Sequence, residues 1–188
     1  MMRNDNKFQI AGQEITPGER WQGMLMIGGG EFALPAAVLH GEKEGKTVLI
    51  TAAVHSGEYV GVETAVELAN ELKMEKITGT IVIVKVVCPA EFEQRAGSLC
   101  LEDGKNLNRV FPGKKDGTRM ERLAAAITES LIKKADYYID LHGGDDYEEL
   151  TPYVYFAGVA KPEIMEASRK MAEQVDVPYM VQSNVSTG

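Results

Sequence analysis

The stretch Val48-Leu49-Ile50-Thr51-Ala52-Ala53-Val54-His55-Ser56-Gly57-Glu58-Tyr59 joins two kinds of periodicity. Its first half continues from Lys46 as an apolar run that reads as a buried strand over residues 46–53. Beyond Tyr59, apolar residues recur at helical spacing, which predicts a helix over 60–73. A strand that hands over to a helix in this way is the unit of an α/β fold. At the hand-over stand His55 and Glu58, three positions apart, where both can close on one metal ion. Imidazole nitrogen and carboxylate oxygen suit zinc, and a catalytic zinc commonly has three protein ligands plus water. The third ligand must come from elsewhere, and the sequence holds only three histidines in all.

Working outward, strand and helix signals continue to alternate. Residues 80–87 are nearly all β-branched, as a strand buried on both faces should be. An amphipathic helix is predicted over 119–134, with Met120, Leu123, Ile127 and Leu131 on one face. Strands follow at 136–141, 153–156 and 177–181, with a helix over 163–174 that has Pro162 near its start. The stretch 88–118 is longer than most connections, a length that often accompanies function. Ahead of residue 46 the texture is different: short strands at 8–10, 21–27 and 33–40, separated by turn residues. Gly28-Gly29-Gly30 reads as a turn and not a phosphate loop, because no Lys-Ser/Thr follows it. The expectation is an α/β domain with a mixed, largely parallel sheet and flanking helices. Residues 1–45 form an antiparallel β extension and 46–188 the α/β core of one domain.

Composition narrows the function classes. The chain has 188 residues, 44% hydrophobic and 26% charged, which is ordinary for a soluble globular protein. Its net charge of −8 argues against general nucleic-acid binding, so an anionic substrate needs a local basic cluster. No apolar run approaches the ~20 residues of a membrane span, and Met1 to Lys7 lead into no signal-peptide region. A cytoplasmic protein is the expectation. Cys88 and Cys100 lack CxxC spacing and read as free, buried thiols. A homo-oligomer is left open.

The candidate third ligand lies in Tyr138-Ile139-Asp140-Leu141-His142-Gly143-Gly144. Asp140 and His142 are two apart and share a strand face, so His142 can bind metal while Asp140 orients a ligand imidazole. A plain hydrogen-bonded histidine is the alternative. His40 has no carboxylate nearby and reads as structural. In the long loop, Asn108 and Arg109 are adjacent. A guanidinium fork and an amide together can grip a carboxylate, against the alternative of a solvated surface arginine.

His55-Ser56-Gly57-Glu58, Asn108-Arg109 followed by Phe111, and Asp140-Leu141-His142 fall in the order found in the succinylglutamate desuccinylase/aspartoacylase family. The chain resembles that family, a relative of the zinc carboxypeptidases, from about Thr47 to its end. The resemblance implies a zinc-carboxypeptidase-like fold and one Zn2+ per chain, held by His55, Glu58 and His142. It also implies that Asn108 and Arg109 grip the carboxylate of a small anionic N-acyl amino acid. The implied reaction hydrolyses a carbon–nitrogen bond other than a peptide bond. The metal would polarise the carbonyl and acidify water, and a general base would move the proton to the leaving amine.

Two departures qualify this expectation. The family carries a further arginine ahead of the Asn-Arg pair to stabilise the oxyanion. Arg95 is the candidate here, although the matching position counts closer to Ser98. Loss of such a donor costs roughly 10²–10³ in rate. The family's general-base glutamate lies on a later strand, beyond a glycine-rich connection whose entrance Ser183 to Gly188 resembles. No carboxylate follows Gln182, and Glu91, Glu93, Asp145 and Asp146 do not match that position. The resemblance therefore implies a truncated piece that keeps its zinc and lacks full activity. The rival readings are a metallocarboxypeptidase and a zinc-binding fragment without catalysis.

Overall fold

In the computed structural model the described residues are 6–145 and 148–184. Asp146 and residues 185–188, among the stretches weighed above, lie outside them. The chain folds as two compact units, Met1–Tyr147 and Glu148–Gly188.

The first unit is built on a five-stranded sheet. In chain order its strands are β3 (Glu19–Ile27), β4 (Phe32–His40), β5 (Lys43–Ala52), β6 (Thr78–Val84) and β7 (Tyr137–Leu141), after a small separate antiparallel pair, β1 (Phe8–Ile10) and β2 (Gln13–Ile15). Across the sheet the order is β3-β4-β6-β5-β7. The β3/β4 and β4/β6 pairs are antiparallel, whereas β5/β6 and β5/β7 are parallel. The fold is thus mixed α/β, and the early hairpin is continuous with the parallel core. Gly28, Gly29 and Gly30 close that hairpin in a 3-10 turn at φ of 61°, 69° and 94°, a conformation favouring glycine.

Both faces of the central strands are buried, and successive residues alternate between two cores. Ala36, Val38, Leu49, Val82 and Val84 face one core, and Ala37, Leu39, Ile50 and Ile83 the other. Helix α1 (Tyr59–Glu71) covers the second core with Ala65 and Ala69. The first core takes Met120, Leu123 and Ile127 of α3 (Arg119–Ser130), with Leu131 just after its end. All four apolar residues read as one face are buried there, at about 1.5–3 kcal/mol per large side chain. Thr118 and Glu121 start α3 with reciprocal side-chain and backbone bonds.

The intervening stretch 88–118 holds the short helix α2 (Pro89–Glu93) and a 3-10 turn at Leu107–Arg109, and it is pinned throughout. Asp103 accepts from the Met120 and Lys105 amides at 2.9 and 3.0 Å. Leu107 is buried in the core. Gly113, at φ 88°, lies so close to α3 that a Cβ would meet the Ala125 nitrogen at 2.2 Å. Cys88 and Cys100 are free and buried.

The second unit pairs β8 (Tyr153–Ala157) and β9 (Tyr179–Ser183) in parallel, with α4 (Pro162–Ala172) between them in sequence. Pro162 occupies the first helical turn, and Ser168 of α4 accepts the Ala157 amide at 3.0 Å. Among the described residues, no helix is long and apolar enough to cross a membrane.

Candidate metal centre

Parallel register brings the site together. Ala52 at the end of β5 lies opposite Leu141 at the end of β7. His55 and His142 follow those residues closely, so both leave the sheet at the carboxyl ends of adjacent strands, where α/β sheets bind ligands. Directly after β5, buried Ala53 adopts φ 55°, a left-handed backbone that costs a non-glycine residue of order 1 kcal/mol. The turn is over-determined: Ala52 and Ala53 carbonyls accept from Val87 and Cys88. Ser56, also buried, sends both its amide (2.9 Å) and its hydroxyl (2.6 Å) to the Gly97 carbonyl. Glu58 then stands at the start of α1, where a carboxylate suits the helix dipole. Helix α1 approaches β7 closely at Gly61, where a Cβ would meet the Leu141 carbonyl oxygen at 3.0 Å.

His55, Glu58 and His142 form one cluster, with one potential ligand atom from each lying within 4.8 Å of the others. Glu58 Oε1 is 2.9 Å from His55 Nδ1, and Oε2 is 2.8 Å from His142 Nδ1. The two Nδ1 atoms therefore face the cluster's centre. Each outer nitrogen has an oxygen of its own: His142 Nε2 lies 2.8 Å from Asp140 Oδ2, and His55 Nε2 3.1 Å from Asn106 Oδ1. Such oxygens fix the ring orientation and tautomer of metal-binding histidines. Two imidazole nitrogens, each ring oriented by an oxygen behind it, and a carboxylate oxygen fit a zinc ion.

Charge is concentrated here. Glu58 is only 5% exposed. Burial alone would raise its pKa, but bonds from His142 and His55 hold the carboxyl at about 2. Burial would likewise lower His142, yet Asp140 and Glu58 push it up to about 10. Without a metal, His142 is an imidazolium between two carboxylates. A divalent cation bound to the Nδ1 atoms would take over that positive charge.

Asn106 is the residue that sequence reasoning missed. Its Oδ1 accepts from the Asn108 amide at 2.8 Å as well as facing His55, so one oxygen joins the histidine to the turn bearing Asn108 and Arg109. An Asn followed two residues on by its own hydrogen-bond donor is a turn signal readable in sequence. Its second contact, across 51 positions, is not. Arg109 is exposed, and among the described residues its guanidinium bonds only the Asn108 carbonyl, at 3.0 Å. Arg95 is exposed on a left-handed backbone, φ 53°, and makes no hydrogen bond with the cluster. Ser98 is half-buried in the same loop. Glu91 is buried and paired with Arg119 at 3.3 Å, while Glu93 is exposed. His40 bonds Thr80 Oγ1 and the Asn6 carbonyl, in keeping with a structural role.

The chain matches the succinylglutamate desuccinylase/aspartoacylase catalytic domain over residues 44–188. It belongs to that family. Among its relatives is the N-alpha-acetyl-L-2,4-diaminobutyric acid deacetylase of Halomonas elongata, 31% identical over 153 residues, covering 81% of this chain and 44% of the relative. Among solved structures, an aspartoacylase family protein from Mesorhizobium loti superposes with a TM-score of 0.79 at 30% identity, covering 92% of this chain and 56% of that one. A metallo-carboxypeptidase from Burkholderia cenocepacia shares the fold, with a TM-score of 0.62 at 17% identity over 88% of this chain and 49% of the other. The chain thus spans about half the length of these family members. The cluster, the Asn106–Arg109 turn and the Ser56–Gly97 contact all lie within the matched span.

Proposed function

We propose that this chain is the metal-binding part of a zinc-dependent deacylase that hydrolyses the amide bond of small N-acyl amino acids or related amides. The observation that carries this reading is the convergence of His55, Glu58 and His142 with a separate oxygen behind each imidazole. A related deacetylase for an N-acetyl amino acid supports the substrate class.

His55 Nδ1, Glu58 and His142 Nδ1 would hold one Zn2+ per chain. Bound there, it supplies Lewis acidity toward a carbonyl oxygen and toward water. The chain's own residues do the rest. Asp140 and Asn106 keep the outer imidazole nitrogens protonated, so that the inner lone pairs face the ion. Arg109 offers the substrate carboxylate a planar fork, and the adjacent Asn108 amide adds a further bond. On a chain of net charge −8, this local pair draws in an anion that the whole protein repels. Arg95, in the loop that Gly97 ties to Ser56, is proposed as oxyanion donor.

Among the described residues, only Glu58 and Asp140 of the carboxylates bond the two histidines. Both are committed to them, which favours zinc binding without turnover as the second reading. Assay of the zinc-loaded protein against N-acyl amino acids and C-terminal peptides separates the possibilities. Deacylation of the former is expected, with kcat/KM lowered roughly 10–100-fold in Arg109→Ala for loss of a charge-assisted contact. Peptide cleavage without deacylation would point to a carboxypeptidase, and zinc binding without turnover to the second reading.

A further inference from the structure

Strand β5 carries one residue whose chemistry the core does not need. Thr51 is fully buried between Ile50 and Ala52, in a strand otherwise apolar at its buried positions. Valine has nearly its shape and no hydroxyl to satisfy. The hydroxyl has partners, and they lead to the cluster. Thr51 pairs with Asp140 across the β5/β7 ladder, and Tyr138 lies two residues earlier on the same face of β7. Thr51 Oγ1 lies 2.5 Å from Asp140 Oδ1 and 3.0 Å from the Tyr138 hydroxyl. Asp140 Oδ2 in turn lies 2.8 Å from His142 Nε2.

The direction of this relay follows from donor counting. A carboxylate only accepts, so the single Thr51 proton goes to Asp140. The Thr51 oxygen must then accept from the Tyr138 hydroxyl, since a phenol is protonated at neutral pH. With Oδ1 held by Thr51, Asp140 can present only Oδ2 to the ring, where it accepts the Nε2 proton. That leaves His142 Nδ1 to face Glu58 and His55.

We infer that Thr51 is a positioning residue of the metal centre: its hydroxyl, oriented by Tyr138, locks the Asp140 carboxylate and through it the His142 tautomer. The inference rests on the zinc reading above. Losing the hydroxyl leaves the strand packed but lets the carboxylate rotate about its last bond, with Oδ1 short of a partner.

The test is zinc affinity by competition with a chromophoric chelator, together with the nitrogen NMR shifts of His142 in the zinc-loaded protein. Thr51→Val should weaken zinc binding roughly tenfold, at the lower end of the range for groups that support metal ligands, and Thr51→Ser should restore it. Tyr138→Phe, at a half-exposed position that tolerates the change, should weaken it by a smaller factor in the same direction. The His142 ring should show a single Nε2–H tautomer in the parent and lose that uniformity in Thr51→Val. A purely structural role would lower the melting temperature while leaving affinity and tautomer unchanged, and that result overturns the inference. If Thr51→Val fails to fold, Tyr138→Phe with parental affinity and tautomer overturns it equally. If the parent takes up no zinc, or His142→Ala binds it as the parent does, the metal reading and this inference fall together. Parental zinc binding matched by Thr51→Val removes the inference alone.

Discussion

Glu58 sets the electrostatics of the centre. It is nearly fully buried, yet both oxygens are engaged by imidazoles, and its pKa is held at about 2. A buried carboxylate without such partners would be driven neutral. Asn106 plays the quieter part, because one amide oxygen serves both the His55 ring and the Asn108 amide. Replacing it with leucine removes the acceptor behind His55 and should weaken zinc binding by about 10–100-fold. Asn106→Asp keeps an acceptor oxygen and should stay close to the parent, as isothermal titration with zinc would show. Equal affinities for Asn106→Leu and the parent would place Asn106 outside the centre. Neither the Asn106–His55 nor the Thr51–Asp140 contact was legible in the sequence. Each joins residues far apart in the chain, and nothing in their local pattern marks them.

At the scale of elements, two close approaches hold the site's geometry. Glu58 directly precedes helix α1 and β7 leads to His142, and the two elements can come together because residue 61 is glycine. A branched side chain there would press on the Leu141 backbone, so Gly61→Val should cost about 1–3 kcal/mol by overpacking. It should weaken zinc binding as well, measurable by denaturant unfolding and by titration. The long loop is held to α3 by Asp103, whose carboxyl burial would raise. Bonds from the Met120 amide, Thr118 and the Lys105 amide hold it at about 2 instead. Because the folded pKa lies below the ordinary value, Asp103 stabilises the fold above about pH 4. That stability is lost as pH falls toward 2. Asp103→Ala should destabilise by about 1–2 kcal/mol at neutral pH, as helix-start acceptors do. The deficit relative to the parent should shrink as pH drops from 4 to 2. A deficit that stays constant over that range would contradict the assignment.

At the scale of the whole molecule, the hydrophobic patterns carried most of the architecture. The β-branched run 80–87 predicts a strand buried on both faces, and β6 is one, although it ends at Val84. Val86 and Val87 remain buried, but Lys85 and Val87 give their amides to Pro35 and Ala52 carbonyls outside the regular ladder. Apolar character reported burial there, not strand pairing. Strand β2, with one buried residue in three, was not read from the sequence. Continuity of the early hairpin with the parallel core depends on β4 pairing with β6, a contact between distant segments that local sequence cannot encode. The convergence of His55, Glu58 and His142 was legible because these residues follow strand signals directly and belong to ordered family motifs. The position of Arg95 was not, since its loop is placed through Ser56 and Gly97.

The central claim is that His55, Glu58 and His142 hold one zinc ion. Its most direct test is metal content after dialysis against zinc well above Kd, by plasma mass spectrometry, paired with a thermal melt. One zinc per chain is expected, with the fold stabilised by about 2.7 kcal/mol at a free-zinc concentration 100 times Kd. His55→Ala should lose both the bound metal and the stabilisation. Full zinc stoichiometry retained in His55→Ala would contradict the account.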